Sequence, residues 1–396
     1  MSHARKALTA IAGGHFLVEW YAAFLPLLVP VFRARLGFSL AAAAALGASL
    51  PIVSGLVQMV FGLVSDHIPR ANALVVGSSL LAALAIAALP FAGTFPLLLL
   101  IFAAVALALA MFHPQGAAAT SRLSDNNRGR FMFVFNFGGS IGSFVGSLTV
   151  IPLLYLLQLE RFWILALPGI LFAAFQRSAL PHSQPEPETP GEPNGTRLSA
   201  SPAFRGYLML VLSATLNAIV HNGVTILLPL LFQERGFDPG KAGVYLAVGS
   251  LAGAFSNVVG AELSDRVGRR TVNVVGAAGM VLTLALFVLS GSSSFLWYVT
   301  LCLFSTCTLS SNIVFGHELV TGHRGFVSAS IMGFSWGFGG VVVAILGRWA
   351  ESTSIVSAYH LLLGVAAILV VTSLMLPTRS AIQAAFRPSP AVEQTT

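Results

Sequence analysis

Twelve long apolar segments follow one another along this chain, separated by short polar loops. They fall at approximately 8–33, 38–63, 73–91, 96–118, 131–154, 162–180, 205–233, 241–263, 272–291, 294–315, 326–349 and 358–377. About 20 apolar residues suffice for a helix to cross a bilayer core roughly 30 Å thick. In hydrocarbon every backbone N–H and C=O must be satisfied within the chain, which leaves helices or a closed barrel as spanning structures. Segments of this length select helices. Charged residues make up only 9% of the 396, against 56% hydrophobic, a balance unlike that of a soluble domain. The expectation is an all-α polytopic membrane protein.

The loops set the orientation. With both termini in the cytoplasm, fifteen Lys and Arg residues lie inside, and six lie outside: Arg33, Arg35, Arg161, Arg235, Lys241 and Arg348. That asymmetry obeys the positive-inside rule and fixes the orientation; the expected location is a bacterial inner membrane. The net charge of +7 is spread over short loops, so it reports topology and not nucleic-acid binding. The charged start, Arg5 and Lys6, resembles a signal peptide, but no small-residue cleavage site follows, and the first segment reads as a permanent helix. Cys302 and Cys307 share one predicted span, five apart, and read as small core residues rather than a disulfide.

The apolar pattern breaks once. Residues 181–202 carry six prolines with Glu186, Glu188 and Glu192, the composition of a flexible linker. Its Asn194-Gly195-Thr196 sequon is expected to stay unmodified on the cytoplasmic side. The chain therefore divides into a six-helix bundle over 1–180, a linker over 181–204, a second bundle over 205–378 and a tail over 379–396. The halves repeat at a constant offset of 199: Pro30 matches Pro229, Gly37 matches Gly236, Phe38 matches Phe237, Asp66 matches Asp265 and Arg70 matches Arg269. Parallel six-helix repeats about a central linker are a transporter design.

Polar residues inside spans are costly and mark function. Glu19 lies near the middle of the first segment, where a carboxylate costs roughly 3 kcal/mol or more. His15 is four residues earlier, on the same helix face. The pair can hold or pass a proton, with Glu19 the carrier and His15 its partner. Ser213, Asn217, His221 and Thr225 form a four-step stripe in the seventh segment, flanked by Asn222. This stripe is expected to face a cavity rather than lipid. The tenth segment carries Ser305, Thr306, Thr308, Ser310, Ser311 and Asn312, and the second offers Ser54 and Gln58. The fourth is apolar until His113, placed at its cytoplasmic end ahead of Pro114. The fifth has glycine steps Gly138–Gly142–Gly146 beside a stripe of Asn136, Ser140, Ser143 and Ser147, and the eleventh has Gly333–Gly337. Such steps permit close helix approach. Expected substrate contacts are Tyr21, Gln58, His113, Asn136, Asn217, His221, Asn222, Asn312 and Trp336, with Tyr21 and Trp336 able to cover an apolar or ring-bearing part.

Two loops carry a further signal. Gly62, Asp66, Pro69 and Arg70 follow the second segment; Ala261, Asp265, Gly268, Arg269 and Arg270 follow the eighth. These loops resemble the signature loop of the major facilitator superfamily, Gly-x-x-x-Asp-x-x-Gly-Arg-Arg/Lys, each departing from it at one glycine. The Asp can cap a helix start or pair with the Arg across the cytoplasmic interface, so Gly62, Asp66, Arg70, Asp265, Gly268 and Arg269 are read as gating residues that latch one access state.

A narrower resemblance is to the fosmidomycin-resistance group. It rests on Gly14-His15-Phe16 with Glu19, on Phe112-His113-Pro114, on Arg128-Gly129 and Phe137-Gly138-Gly139, and on Arg324-Gly325 leading into Gly333 to Gly340. Where that group more often has Asp in its first helix, this chain has Glu19. The resemblances imply a major facilitator fold, with helices 1, 4, 7 and 10 around a central cavity and 3, 6, 9 and 12 outside. They also imply proton-driven export of small toxic compounds. Proton-coupled uptake of a metabolite uses the same acids, and a non-transporting receptor is the remote alternative. No Lys or Arg lies deep in any segment, which favours a neutral or weakly charged cargo. His317, Glu318 and His323 cluster in a loop without a metal pattern. No nucleotide-binding glycine loop or Ser/His/Asp triad is present in the sequence, which argues against a pump driven by ATP and against an enzyme. No cofactor or metal is expected. The expected partners are a small-molecule substrate, protons and the bilayer, with the chain acting as a monomer.

Overall fold

The computed structural model describes residues 3–64, 71–123, 128–180, 202–320 and 324–381. The expectations for Asp66, Arg70, the linker over 181–201 and the tail beyond 381 fall outside the described residues. Among the described residues, twelve helices are long and apolar enough to span a membrane. They are α1 (Ala4–Leu36), α2 (Leu40–Phe61), α3 (Asn72–Phe91), α4 (Phe95–Arg122), α5 (Gly129–Leu157), α6 (Leu159–Ala179), α7 (Phe204–Glu234), α8 (Pro239–Val267), α9 (Arg269–Leu289), α10 (Phe295–Leu319), α11 (Gly325–Ser352) and α12 (Ile355–Leu374). An even number of spans returns both chain ends to one side, here called the terminal face. The opposite side is the far face.

The repeat seen in the sequence is also a repeat of conformation. Gly37 and Gly236 end α1 and α7 in the left-handed region, at φ 69° and 66°, where only glycine sits without strain. The next helix is then capped by a side chain in each half. Ser39 Oγ accepts the N–H of Ala42 at 3.2 Å before α2, and Asp238 Oδ1 accepts that of Gly240 at 2.8 Å before α8.

Three spans depart from regular α-helix. α1 is interrupted at Ala23, three residues before Pro26, which has no N–H to give to the Ala22 carbonyl. α10, expected to be continuous, divides into Phe295–Thr306 and Leu309–Leu319. Its hydroxyls compete for the backbone: Ser305 and Thr306 both donate to the Cys302 carbonyl, at 3.1 and 2.9 Å. Asn257 of α8 repairs the gap, its Oδ1 accepting the N–H of Ser310 at 2.9 Å. α11 widens to a π-helical turn over Ala329–Phe334, a feature concentrated at functional sites.

Glycines decide which helices touch. A Cβ on Gly138 or Gly146 would lie 2.5 Å from the carbonyl oxygens of Ala12 and Trp20, and one on Gly142 would strike that of Phe16. The fifth-segment steps thus let α5 press on the backbone of α1. Gly333 and Gly337 serve the seam between halves: a Cβ on Gly55 of α2 would be 2.6 Å from the Gly333 oxygen and from the Gly337 nitrogen of α11. Gly243 of α8 meets the Ser147 carbonyl of α5 in the same way at 2.6 Å. α3, α6, α9 and α12 find their principal neighbours within their own half. At the far face the halves are joined by polar links. Gln233 Nε2 donates to the Pro30 carbonyl at 2.8 Å, and Arg33 lies 3.8 Å from Glu234.

Candidate functional site

The site begins with Glu19, halfway along α1. Its two carboxylate oxygens have separate partners. Oε1 lies 3.0 Å from His113 Nε2 on α4, and Oε2 accepts the Ser143 hydroxyl of α5 at 2.8 Å. His15 Nε2 stands 3.9 Å from Oε1. α4 continues nine residues past His113 to Arg122, about 14 Å at 1.5 Å per residue. The expected placement of His113 at a helix end is therefore corrected: it sits at membrane depth and is a direct partner of Glu19.

The hydrogen bonds fix where protons sit. His15 Nδ1 is 2.8 Å from the Phe135 carbonyl, which can only accept, so Nδ1 carries a proton and Nε2 is the nitrogen that faces Glu19. The ring is further held by stacking on Phe135 and Phe112, with centroids 4.2 and 5.6 Å away. His113 Nε2 donates to the carboxylate, and its Nδ1 faces Gln58 Oε1 at 3.4 Å. The Glu19 and His113 side chains keep 21% and 29% exposure, against 9% for His15. The pair thus faces an accessible space, and His15 supports it from within the bundle.

His15, Glu19 and His113 offer ligand atoms within 4.8 Å of one another, a spacing that a cation could draw together. Both oxygens of Glu19 are already hydrogen-bonded within the protein, to His113 and Ser143. His317 instead lies 3.1 Å from the Ser328 hydroxyl.

The second half supplies a polar wall. His221 Nδ1 is 3.0 Å from Ser305 Oγ at the end of the first α10 piece, and its ring meets Trp336 edge-on at 5.2 Å. Asn222 Nδ2 donates to the Trp336 carbonyl at 3.3 Å. Asn217 Nδ2 reaches Thr308 Oγ1 at 3.5 Å, and Ser213 donates to Thr372 of α12 at 3.0 Å. The α7 stripe is therefore turned away from lipid, but toward α10 and α12 more than toward open space. Asn136 is exposed one turn from Ser140.

Two expected contacts are corrected. Tyr21 is fully buried: its hydroxyl donates to the Leu165 carbonyl at 2.7 Å and accepts the Gly169 N–H at 3.1 Å. It fastens α1 to α6 and has no free face for a substrate. Asn312 is also buried, accepting from Asn273 of α9 at 2.9 Å, on the outer side of α10. Sequence reading missed Asn257, Asn273 and Phe135. The first two are lone amides in apolar spans and were visible as such, whereas Phe135 acts through its backbone and left no signal.

The gating residues are partly described. Gly62 lies in the last turn of the helix Leu40–Val64. In the second copy, Gly268 turns the chain at φ 93°. Arg269 pairs with Asp265 at 2.6 Å and with Glu318 at 3.2 Å. All three belong to the second half, so this pairing ties α8, α9 and α10 together instead of bridging the halves as expected.

Twelve spans in two repeated halves, with a titratable cluster at mid-depth facing an accessible space, define a membrane transporter of small molecules and not an enzyme. The chain belongs to the Major Facilitator Superfamily, whose family model matches residues 11–344. It is 26% identical to the fosmidomycin resistance protein of Escherichia coli (strain K12) over 371 residues, 89% of this chain and 88% of that one. It is 25% identical to the MFS-type transporter YfnC of Bacillus subtilis (strain 168) over 374 residues, 90% of each. The fold is shared with a crystal structure of the peptide transporter POT in complex with sulfate, at TM-score 0.76 and 14% identity, covering 94% of this chain and 93% of that one.

Proposed function

We propose that this transporter exports a small drug-like or toxic compound in exchange for protons. The observation that carries the reading is the Glu19–His113 pair, 3.0 Å apart at mid-membrane and still partly accessible. A carboxylate held there in its charged form needs hydrogen-bond donors beside it, and His113 and Ser143 supply them. A proton arriving from the far side neutralises Glu19 and loosens its hold on His113 and Ser143. Cargo entering from the terminal side then recharges Glu19 by displacing that proton, which leaves to the terminal side. Gln58, Asn136, His221, Asn222 and Trp336 supply polar and aromatic contacts around the cargo. Similarity to a fosmidomycin resistance protein over 89% of the chain supports export over uptake.

The terminal face is assigned to the cytoplasm of a bacterial inner membrane, where the positive-inside rule puts it, and the chain works as a monomer. The polar links between the halves at the far face are assigned to the latch that closes the far side. Asp66 and Arg70 of the first signature loop are assigned to the opposite, outward-facing latch. The test is purified protein in liposomes loaded with a pH-sensitive dye. Adding a transported compound should move protons in the opposite direction. A compound that crosses with no accompanying proton movement would overturn the coupling.

A further inference from the structure

On the outside of the second half, at its terminal end, a cavity of about 750 Å³ opens between α9 and the end of α12. Its floor is apolar, with Val274, Val275 and Leu374, the last two 55% and 49% exposed. Its rim is cationic, with Arg269, Arg270 and Arg379. The acids at the rim do not balance these charges, because Asp265 and Glu318 are both engaged by Arg269. Arg270 spends one nitrogen on the Leu374 carbonyl at 2.6 Å, which holds the guanidinium over the cavity and leaves its other donors open. Arg379 is exposed and has no ion pair among the described residues.

We propose that this cavity binds one anionic phospholipid, its phosphate on Arg270 and Arg379 and an acyl chain along Val274, Val275 and Leu374. The chemistry matches part by part: a planar guanidinium pair recognises phosphate oxygens, and an exposed apolar groove beside it accepts hydrocarbon. The groove lies at the membrane boundary, where lipid phosphates are concentrated and soluble anions are not favoured by its floor. The same cavity is lined by Asp265, Gly268 and Arg269, so the lipid would rest against the second gating loop. The inference is independent of the cargo and of proton coupling.

The test is native mass spectrometry on the purified full chain, titrated with phosphatidylglycerol, phosphatidylcholine or glycerol phosphate. The expected result is one tightly held phosphatidylglycerol. Its affinity should fall about fivefold in each of Arg270→Gln and Arg379→Gln, and stay unchanged in Arg130→Gln, which alters the same face of the other half. As a check that keeps both arginines, Val275→Trp should be quenched more by brominated phosphatidylglycerol than by brominated phosphatidylcholine. Equal binding of the two lipids, full competition by glycerol phosphate, or equal loss in Arg130→Gln would each overturn the proposal.

Discussion

The Nε2 of His113 and the Oε1 of Glu19 are 3.0 Å apart, brought together from positions 94 residues apart in the chain. The pair joins α1 to α4, and Ser143 ties the other carboxylate oxygen to α5, so under the proposed coupling protonation of Glu19 weakens the contacts of α1 with both neighbours.

Glu19→Gln keeps the size and the Ser143 contact of the side chain but cannot titrate. Transport driven by a pH gradient should drop at least tenfold, while binding of the cargo to purified protein survives. His113→Ala should slow proton-coupled flux too, and should also lower the melting temperature, since it removes a hydrogen-bond donor from the Glu19 carboxylate. The measurement is dye-reported proton flux in liposomes beside a binding titration. Normal gradient-driven uptake in Glu19→Gln would rule out Glu19 as the carrier.

Much of this was legible in the sequence, and the remainder was hidden for identifiable reasons. Apolar length alone places the spans, and the Gly138–Gly142–Gly146 step anticipates a close helix contact on α5 without naming α1 as the partner. His113 was misplaced because Pro114 reads as a helix stop, whereas membrane helices tolerate proline when neighbours satisfy the backbone. Tyr21 was assigned to the cavity although it lies two residues from Glu19. Two steps in a helix amount to about 200°, so the two residues cannot share a face. The gap in α10 is repaired by Asn257 from another helix, and no pattern within α10 itself reports that partner.

The glycine seam gives a prediction of opposite signs. Gly142→Ala drives a methyl into the Phe16 carbonyl, and overpacking of this kind costs about 1–3 kcal/mol. Gly77 of α3 has nothing within 4 Å of an added Cβ, so Gly77→Ala should stabilise its helix by up to about 1 kcal/mol. Thermal unfolding in detergent reads both. A fall in Gly77→Ala equal to that in Gly142→Ala would show that the seam is not what limits stability.

At the far face, Arg33 and Glu234 join α1 to α7 at 3.8 Å with side chains 25% and 38% exposed. A partly exposed pair is worth at most about 1 kcal/mol, enough for a roughly fivefold change in the balance of access states. Arg33→Glu should replace attraction by repulsion and favour opening of the far face. Adding Glu234→Arg should restore the original balance. Spin labels on Arg161 and Arg348, exposed on opposite halves of that face, would read the separation. Longer distances in the single variant that persist in the double variant would exclude the ion pair as the cause.

His221 tests whether the second half contacts cargo. Its ring sits between Ser305 of α10 and Trp336 of α11, beside the gap that divides α10, so its removal alters a polar wall without opening the glycine seams. His221→Ala should weaken cargo binding several-fold with little loss of folded protein. Thr225→Ala, one turn further along the same stripe, should show a smaller shift in the same direction. Leu227 and Leu230 are fully buried and should accept apolar exchanges of similar volume with small changes in stability and none in affinity. The measurement is a binding titration on variants matched for folded yield. If His221→Ala binds cargo as the parent does and only its yield falls, His221 is a packing residue, and the cargo site belongs to α1, α4 and α5 around Glu19.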